Sequence, residues 1–240
     1  MQQRRILTEI KRISHPIDHY NPEHQFYYNA CVSDYKQGTI LMLGVEDSPY
    51  FGGFYYLSNE FTSEYPYNPP KWRFISNIGS FRYNPNLYSD GKVCLSLIGT
   101  WDTSTWCVAQ TLGSVINASQ AHLFVKNALT NEPNIPESDI RCPIYDRMIM
   151  YENLNSNIYT NLMLTPDHAK PFMGVMVENF MKNIDYFQKY INNNYHLDGK
   201  KESISYHSCS VTYNFKKLQT KFEEMKKHCE KILSDASKSS

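Results

Sequence analysis

The sequence predicts an α+β fold: an N-terminal helix, a four-stranded antiparallel meander, a turn-rich loop carrying a lone thiol, then helices to the C-terminus. Three observations carry that expectation. Apolar residues recur at helical spacing in residues 4–13 and again from residue 111 onward. Four short runs rich in aromatic and β-type residues lie between residues 26 and 75, separated by turn signals. The stretch 83–106 is punctuated by Asn, Pro, Asp and Gly and reads as a loop.

The first helix, residues 4–13, places Ile6, Ile10 and Ile13 on one face with Leu7 beside them, and Arg4, Arg5, Lys11 and Arg12 on the other. Ser14-His15-Pro16 ends it, because proline disfavours helix at the residue before it. The strand runs are 26–32, 39–43, 54–61 and 71–75, and short strands joined by tight turns argue for a meander. Tyr65-Pro66-Tyr67-Asn68-Pro69-Pro70 is a stiff loop that holds Tyr67 outward. The aromatic before Pro66 makes that bond a candidate cis peptide. Residues 111–125 read as a helix on Leu112, Val115, Ile116 and Leu123, with Gly113 costing about 1 kcal/mol relative to alanine. Residues 131–137 are a loop. A long helical stretch, 145–164, has an asparagine-rich centre and ends before Pro166. Pro171 opens the next helix, 172–193. Residues 192–208 are polar and read as a linker. In the last helix Val211, Phe215, Leu218, Phe222, Met225, Cys229 and Ile232 alternate spacings of four and three, an a/d seam. Two readings of that seam stand open: a coiled-coil or docking helix for a partner through 211–232, or a terminal helix packed on its own domain. The expected organisation is a core domain over 1–165, a helical extension over 166–233 and a disordered tail over 234–240.

Lys+Arg and Asp+Glu both number 24, so no net field draws the chain to nucleic acid or to an anionic membrane. No apolar run approaches the ~18 residues of a membrane span, and the first residues lack a signal-peptide core. The six cysteines (31, 94, 107, 142, 209, 229) have no Cys-x-x-Cys spacing. They predict neither a zinc site nor a disulfide framework, and favour a reducing compartment, cytoplasmic or nuclear.

The chemistry concentrates in 83–106. Asn84-Pro85-Asn86 and Ser89-Asp90-Gly91 are turn signals, and Val93-Cys94-Leu95 sets a thiol in a short apolar run. A turn between them can fold Asn86 back onto Cys94. That pairing suits acyl transfer: a thiolate carries the acyl group, and an amide N–H stabilises the oxyanion beside it. A lone cysteine is otherwise most often a buried core thiol.

This stretch resembles the active-site loop of ubiquitin-conjugating enzymes, whose signature is His-Pro-Asn, a short turn and the acceptor cysteine. Here Asn84 stands in place of the histidine. Asp47-Ser48-Pro49-Tyr50-Phe51-Gly52-Gly53 and the 65–70 loop also match family signatures. The run from Asn86 to Trp101, with Trp106 beyond, is most similar to the subgroup found in large hybrid conjugating enzyme–ligases. The resemblance implies that Cys94 accepts ubiquitin as a thioester from the activating enzyme and passes it to a substrate lysine, with or without a ligase. It implies Asn86 as the oxyanion donor, with Tyr83, Asn84 and Pro85 supporting the loop. It implies an acidic gate for the lysine at Glu137, counted from Pro133, with Ser138 and Asp139 as neighbours. It implies partner contacts through Arg4, Arg5 and Lys11 on the first helix and through Tyr67, Val108 and Ala109, where many relatives have proline in place of Val108. No metal or nucleotide is implied, because ATP is spent upstream by the activating enzyme. Two alternatives stay open: a ubiquitin- or ligase-binding module of the same fold without thioester activity, and a scaffold assembled through its C-terminal helix.

Overall fold

The computed structural model describes residues 2–76, 81–206 and 209–239. Positions 1 and 77–80 of the expected core, 207 and 208 of the expected linker and 240 of the expected tail lie outside them. Helix α1 (Gln2–Ile13) precedes strands β1 (Phe26–Ala30), β2 (Gln37–Leu43), β3 (Phe54–Glu60) and β4 (Lys71–Phe74), which pair antiparallel in chain order. The register puts Tyr28 opposite Ile40, Ile40 opposite Leu57, and Leu57 opposite Phe74, a row of buried side chains across the sheet. The Tyr65-Pro66 bond is cis.

On α1, Ile6 and Ile13 are buried and Ile10 partly so, but Leu7 is exposed. The buried position beside them is Glu9 instead. Its carboxylate pairs with Arg5 and accepts from the Tyr65 hydroxyl at 2.6 Å and the Leu112 N–H at 2.7 Å. A buried charge is tolerated when its partners replace water. Here they tie α1 to the start of α2 (Leu112–Leu123), where Thr111 and Ser114 form a reciprocal cap.

Adjacent residues on β3 face opposite sides of the sheet. The Tyr55 ring meets Phe124 and Tyr83, at 4.6 and 5.8 Å between centroids. Tyr56 meets His168 and Phe172, at 4.7 and 5.8 Å, and its hydroxyl donates to Met176 Sδ at 2.8 Å. Residues beyond 165 thus cover one face of the sheet, and β3 is buried through Leu57 on both sides. The expected extension shares one continuous apolar cluster with the core.

Helix α3 (Arg141–Glu152) runs through a wider π-helical segment (Asn153–Ile158) into α4 (Tyr159–Met163). The single helix expected over 172–193 is two, α5 (Met173–Lys182) and α6 (Ile184–Asn194), broken at Asn183. The Asn183 side chain donates to Asn179 O at 2.8 Å, the local competition with helix bonding that asparagine offers.

The expected linker over 192–208 begins as the end of α6 and a 3-10 turn (Tyr195–Leu197) and then enters a hairpin, β5 (Lys201–Ser203) paired with β6 (Ser210–Thr212). Its polar strand residues face solvent, while Ile204, Cys209, Val211 and Tyr213 are buried and Arg147 on α3 holds Glu202 at 2.6 Å. Helix α7 (Phe215–Ser239) corrects two further expectations. Phe215, Leu218, Phe222, Met225 and Cys229 are buried against α4, α5 and α6, so the seam is spent inside the chain and offers no coiled-coil face; Val211 belongs to β6. The helix also continues to Ser239 through the expected tail. Among the described residues no helix is long and apolar enough to cross a membrane.

Candidate active site

Local turn chemistry folds the loop around the thiol. Asn84 Oδ1 accepts from the Asn86 N–H at 2.8 Å, an Asx turn. Gly91, at φ +88°, closes the second turn, with its N–H on Tyr88 O at 3.0 Å and Lys92 N–H on Asp90 Oδ1 at 2.9 Å. The chain reverses, Leu87 bridges Val93, and the Cys94 N–H donates to Asn86 O at 2.9 Å. Asn86 and Cys94 therefore lie side by side, and Asn86 Nδ2 donates to the Cys94 carbonyl at 2.6 Å.

Each supporting residue is fixed in turn. Asn84 is fully buried, and its Nδ2 donates to Leu123 O at 2.7 Å and to the Tyr50 hydroxyl at 3.1 Å. Burial holds the Tyr50 pKa well above its usual value, so the hydroxyl stays protonated and donates to Tyr83 O at 2.7 Å. Tyr83 donates to Glu152 O at 3.1 Å, and the Arg82 guanidinium donates to Pro85 O. On the far side of the thiol, Thr100 Oγ1 donates to Val93 O at 2.6 Å and accepts from the Leu95 N–H at 2.9 Å. Thr100 thus clamps both neighbours of Cys94.

Cys94 is 2% exposed. Val93 and Leu95 join the apolar core cluster and Cys94 does not. It lines an open groove of about 820 Å³ together with Asn86, Trp101, His122, Asn131 and Glu132. The 131–136 segment forms one wall of the groove. That wall is held by Asp146 on α3, which accepts from Asn127 and Ala128 N–H at 2.7 and 3.1 Å, and by Asn131 Nδ2 on His122 O at 3.1 Å. His122 is an exposed residue overall, yet packing around its ring lowers its pKa.

Glu137 is exposed and lies outside the groove lining. Turns closing Ile135 on Glu132 and Asp139 on Pro136 redirect the chain after the wall. Asp139 is occupied by Arg141 at 2.7 Å, whose hydrogen bonds pull its pKa down to about 2. The carboxylate brought to the groove is Glu132, whose Oε2 accepts from the Tyr206 hydroxyl at 2.8 Å. Sequence reasoning missed Glu132, Trp101 and His122 as site residues. Glu132 stood in the quoted loop with nothing local to separate it from Glu137.

The expected partner-binding residues divide. Arg4 and Lys11 are exposed on α1, while Arg5 is taken up within the chain by Glu9 and by Val108 O and Gln110 O at 3.2 and 2.8 Å. Tyr67 is 77% exposed, and Val108 and Ala109 are exposed. Trp106 Nε1 donates to Pro66 O at 2.9 Å and fastens the Tyr67 loop to the segment leading to Val108.

Known proteins resemble this chain in sequence. The human protein "Ubiquitin-conjugating enzyme E2 Z" is 31% identical over 165 residues, covering 67% of this chain and 46% of its own length. The Caenorhabditis elegans "Probable ubiquitin-conjugating enzyme protein 17" is 32% identical over 179 residues, covering 70% of this chain and 24% of its own. The Arabidopsis thaliana "Probable ubiquitin-conjugating enzyme E2 26" is 29% identical over 154 residues, covering 60% and 28%. The chain thus spans half or less of the length of these relatives. A family model described as "Ubiquitin-conjugating enzyme" matches residues 5–138, a span that takes in most of α1, the whole meander, the Asn86–Cys94 pair and the groove wall. The chain belongs to the ubiquitin-conjugating enzyme family.

Proposed function

We propose that the chain is an active conjugating enzyme. Cys94 takes ubiquitin from the activating enzyme by thioester exchange: its thiolate attacks the carbonyl, and the activating enzyme's thiolate leaves. A lysine amine on a protein substrate then attacks the same carbonyl carbon, the C–N bond forms and the C–S bond breaks. The observation that carries this reading is the side-by-side placement of Asn86 and Cys94 on one groove. A carboxamide has two N–H donors. One anchors Asn86 to the Cys94 carbonyl, and the second is the donor for the oxyanion.

Thiol chemistry suits the task, because a thiolate leaves as readily as it attacks and a free thiol is already a few per cent ionised near neutral pH. The scattered spacing of the six cysteines favours a reducing cytoplasm or nucleus. The partners in this reading are ubiquitin, its activating enzyme and a lysine-bearing substrate, with a ligase able to meet Tyr67, Val108 and Ala109. Placement beside the large hybrid conjugating enzyme–ligases rests on Gly99-Thr100-Trp101 and Trp106. A scaffold assembled through α7 draws no support from a seam already buried within the chain.

The test is incubation with activating enzyme, ATP and ubiquitin, read on a gel without reductant. The expected result is an adduct that reductant removes and that Cys94→Ala abolishes. No adduct with any activating enzyme would leave the binding-module reading in its place.

A further inference from the structure

The β5–β6 hairpin reaches a carboxylate that lines the groove. We infer that Tyr206, on the connection between β5 and β6, is a positioning residue of the thiol groove, holding the Glu132 carboxylate where it receives the ammonium of the incoming lysine. The inference rests on the thioester reading of Cys94 and deepens it.

The geometry is specific. The Tyr206 hydroxyl donates to Glu132 Oε2 at 2.8 Å, across 74 residues of sequence. Glu132 is the one carboxylate among the described residues lining the groove, and that lining holds no lysine or arginine. A cationic nucleophile is therefore the kind the groove attracts. The bond occupies Oε2, and an ionised carboxylate keeps lone pairs on Oε1 for a second donor.

Tyr206 is itself held. Its ring packs edge-on against Tyr145 at 6.2 Å and lies 5.7 Å from the Arg82 guanidinium. Tyr145 donates to Arg82 O at 2.6 Å, and Arg82 supports Pro85 in the thiol loop. The hairpin is mounted on α3 through the Arg147–Glu202 pair, with the Tyr213 hydroxyl on Glu202 at 2.5 Å. Burial, with Glu132 beside it, raises the Tyr206 pKa, so the hydroxyl remains the donor. The C-terminal extension thus braces the 131–136 wall of the groove and packs beside the Arg82 that supports the thiol loop.

In the step itself, the lysine arrives as an ammonium and is oriented by Glu132. It loses one proton to water, and the neutral amine attacks the thioester carbonyl. The second proton passes to the departing Cys94 thiolate, leaving an isopeptide bond and a free thiol.

The experiment uses the full chain, loaded with ubiquitin and freed of activating enzyme. Discharge per loaded molecule is measured with free lysine, a cationic amine, and with hydroxylamine, which is uncharged near neutral pH. The ratio of the two rates is expected to fall about three- to fivefold in Tyr206→Phe and in Glu132→Gln, the scale of one solvent-screened charge contact. The double variant is expected to fall no further, because both changes remove one interaction. A ratio equal to that of the unaltered chain in either variant overturns the inference, as does an equal loss with both nucleophiles, which marks a merely structural role. Failure of the unaltered chain to form any thioester overturns the Cys94 reading itself, and this inference with it.

Discussion

Two sets of buried asparagines use the same side chain for different ends. On the α3–α4 stretch, Asn153 Nδ2 donates to Tyr50 O and Phe51 O at 3.0 and 2.9 Å, and its Oδ1 accepts from the Tyr55 hydroxyl at 2.8 Å. Asn157 Oδ1 accepts from the Phe54 N–H at 2.8 Å, and its Nδ2 donates to Phe54 O at 2.9 Å. Among the described residues β4 pairs with Leu57–Glu60 of β3 and the two residues after it bond Tyr56, so Asn157 acts as a ladder partner at Phe54, which they do not reach. Gly53 permits the approach of Asn153, since a Cβ there would lie 2.0 Å from Asn153 Oδ1. In the thiol loop, Asn84 behaves in the same structural way, but Asn86 makes one short bond at the groove and keeps a second donor. The contrast separates a carboxamide that substitutes for backbone from one that is anchored and still has a hydrogen to give. In the proposed function, only the second acts on a reacting carbonyl.

The sharpest break of that contrast is Asn86→Ala. Loss of one oxyanion donor costs about 2.7–4 kcal/mol of transition-state stabilisation, roughly a hundred- to a thousandfold in rate. Discharge of preformed thioester to lysine is expected to slow by that factor, measured in single turnover. A loss below about tenfold would move Asn86 into the structural group. Next in size is Asn157→Ala, which strands the Phe54 N–H and C=O in a buried setting. Two unsatisfied groups at about 1–3 kcal/mol each bound the cost at about 2–6 kcal/mol, and the expected destabilisation is in the lower part of that range, about 2–4 kcal/mol, read from the shift in urea midpoint at constant slope. Discharge per loaded molecule should hardly change. A large kinetic loss there would mean that the scaffold and the site are not separable.

Much of the loop was legible because its signals are local. An Asx turn, a Gly at positive φ and the spacing from Asn86 to Cys94 lie within a few residues of one another, and backbone chemistry alone brings them together. The meander was legible for the same reason, since hairpin partners are sequence neighbours. The rest depends on residues far apart in the chain. Nothing beside Glu132 reveals Tyr206, and nothing beside Arg5 reveals that Val108 O and Gln110 O will occupy it. The α7 seam was visible as a pattern, but its spacing is the same whether the partner is another chain or helices α4 to α6. The hairpin was hidden by composition: strands of three residues with polar outer faces look like linker. The asparagine-rich centre of the long helix was noted, yet its role needs the edge of β3 to give it meaning.

The smallest expected effect, and the finest probe of the contrast, is Asn84→His, which restores the first residue of the family's loop signature. Asn84 now serves four partners: Tyr50, Leu123, the Asn86 N–H and, at 3.4 Å, the Asn131 side chain. A neutral imidazole has one donor and one acceptor. It can keep Leu123 O and the Asn86 N–H and must release the Tyr50 hydroxyl, which still has Tyr83 O. The larger ring also enters a fully buried site, where overpacking typically costs about 1–3 kcal/mol. The expected outcome is a stability loss near 1 kcal/mol at the low end of that range. Thioester discharge should stay close to that of the unaltered chain, because the bond that sets Asn86 survives. Chemical denaturation and single-turnover discharge on one preparation measure both. Discharge slowed as far as in Asn86→Ala would show that the grip of Asn84 on the loop, more than the second N–H of Asn86, limits the reaction, and the line between supporting and acting carboxamides would have to be redrawn between Asn84 and the helix.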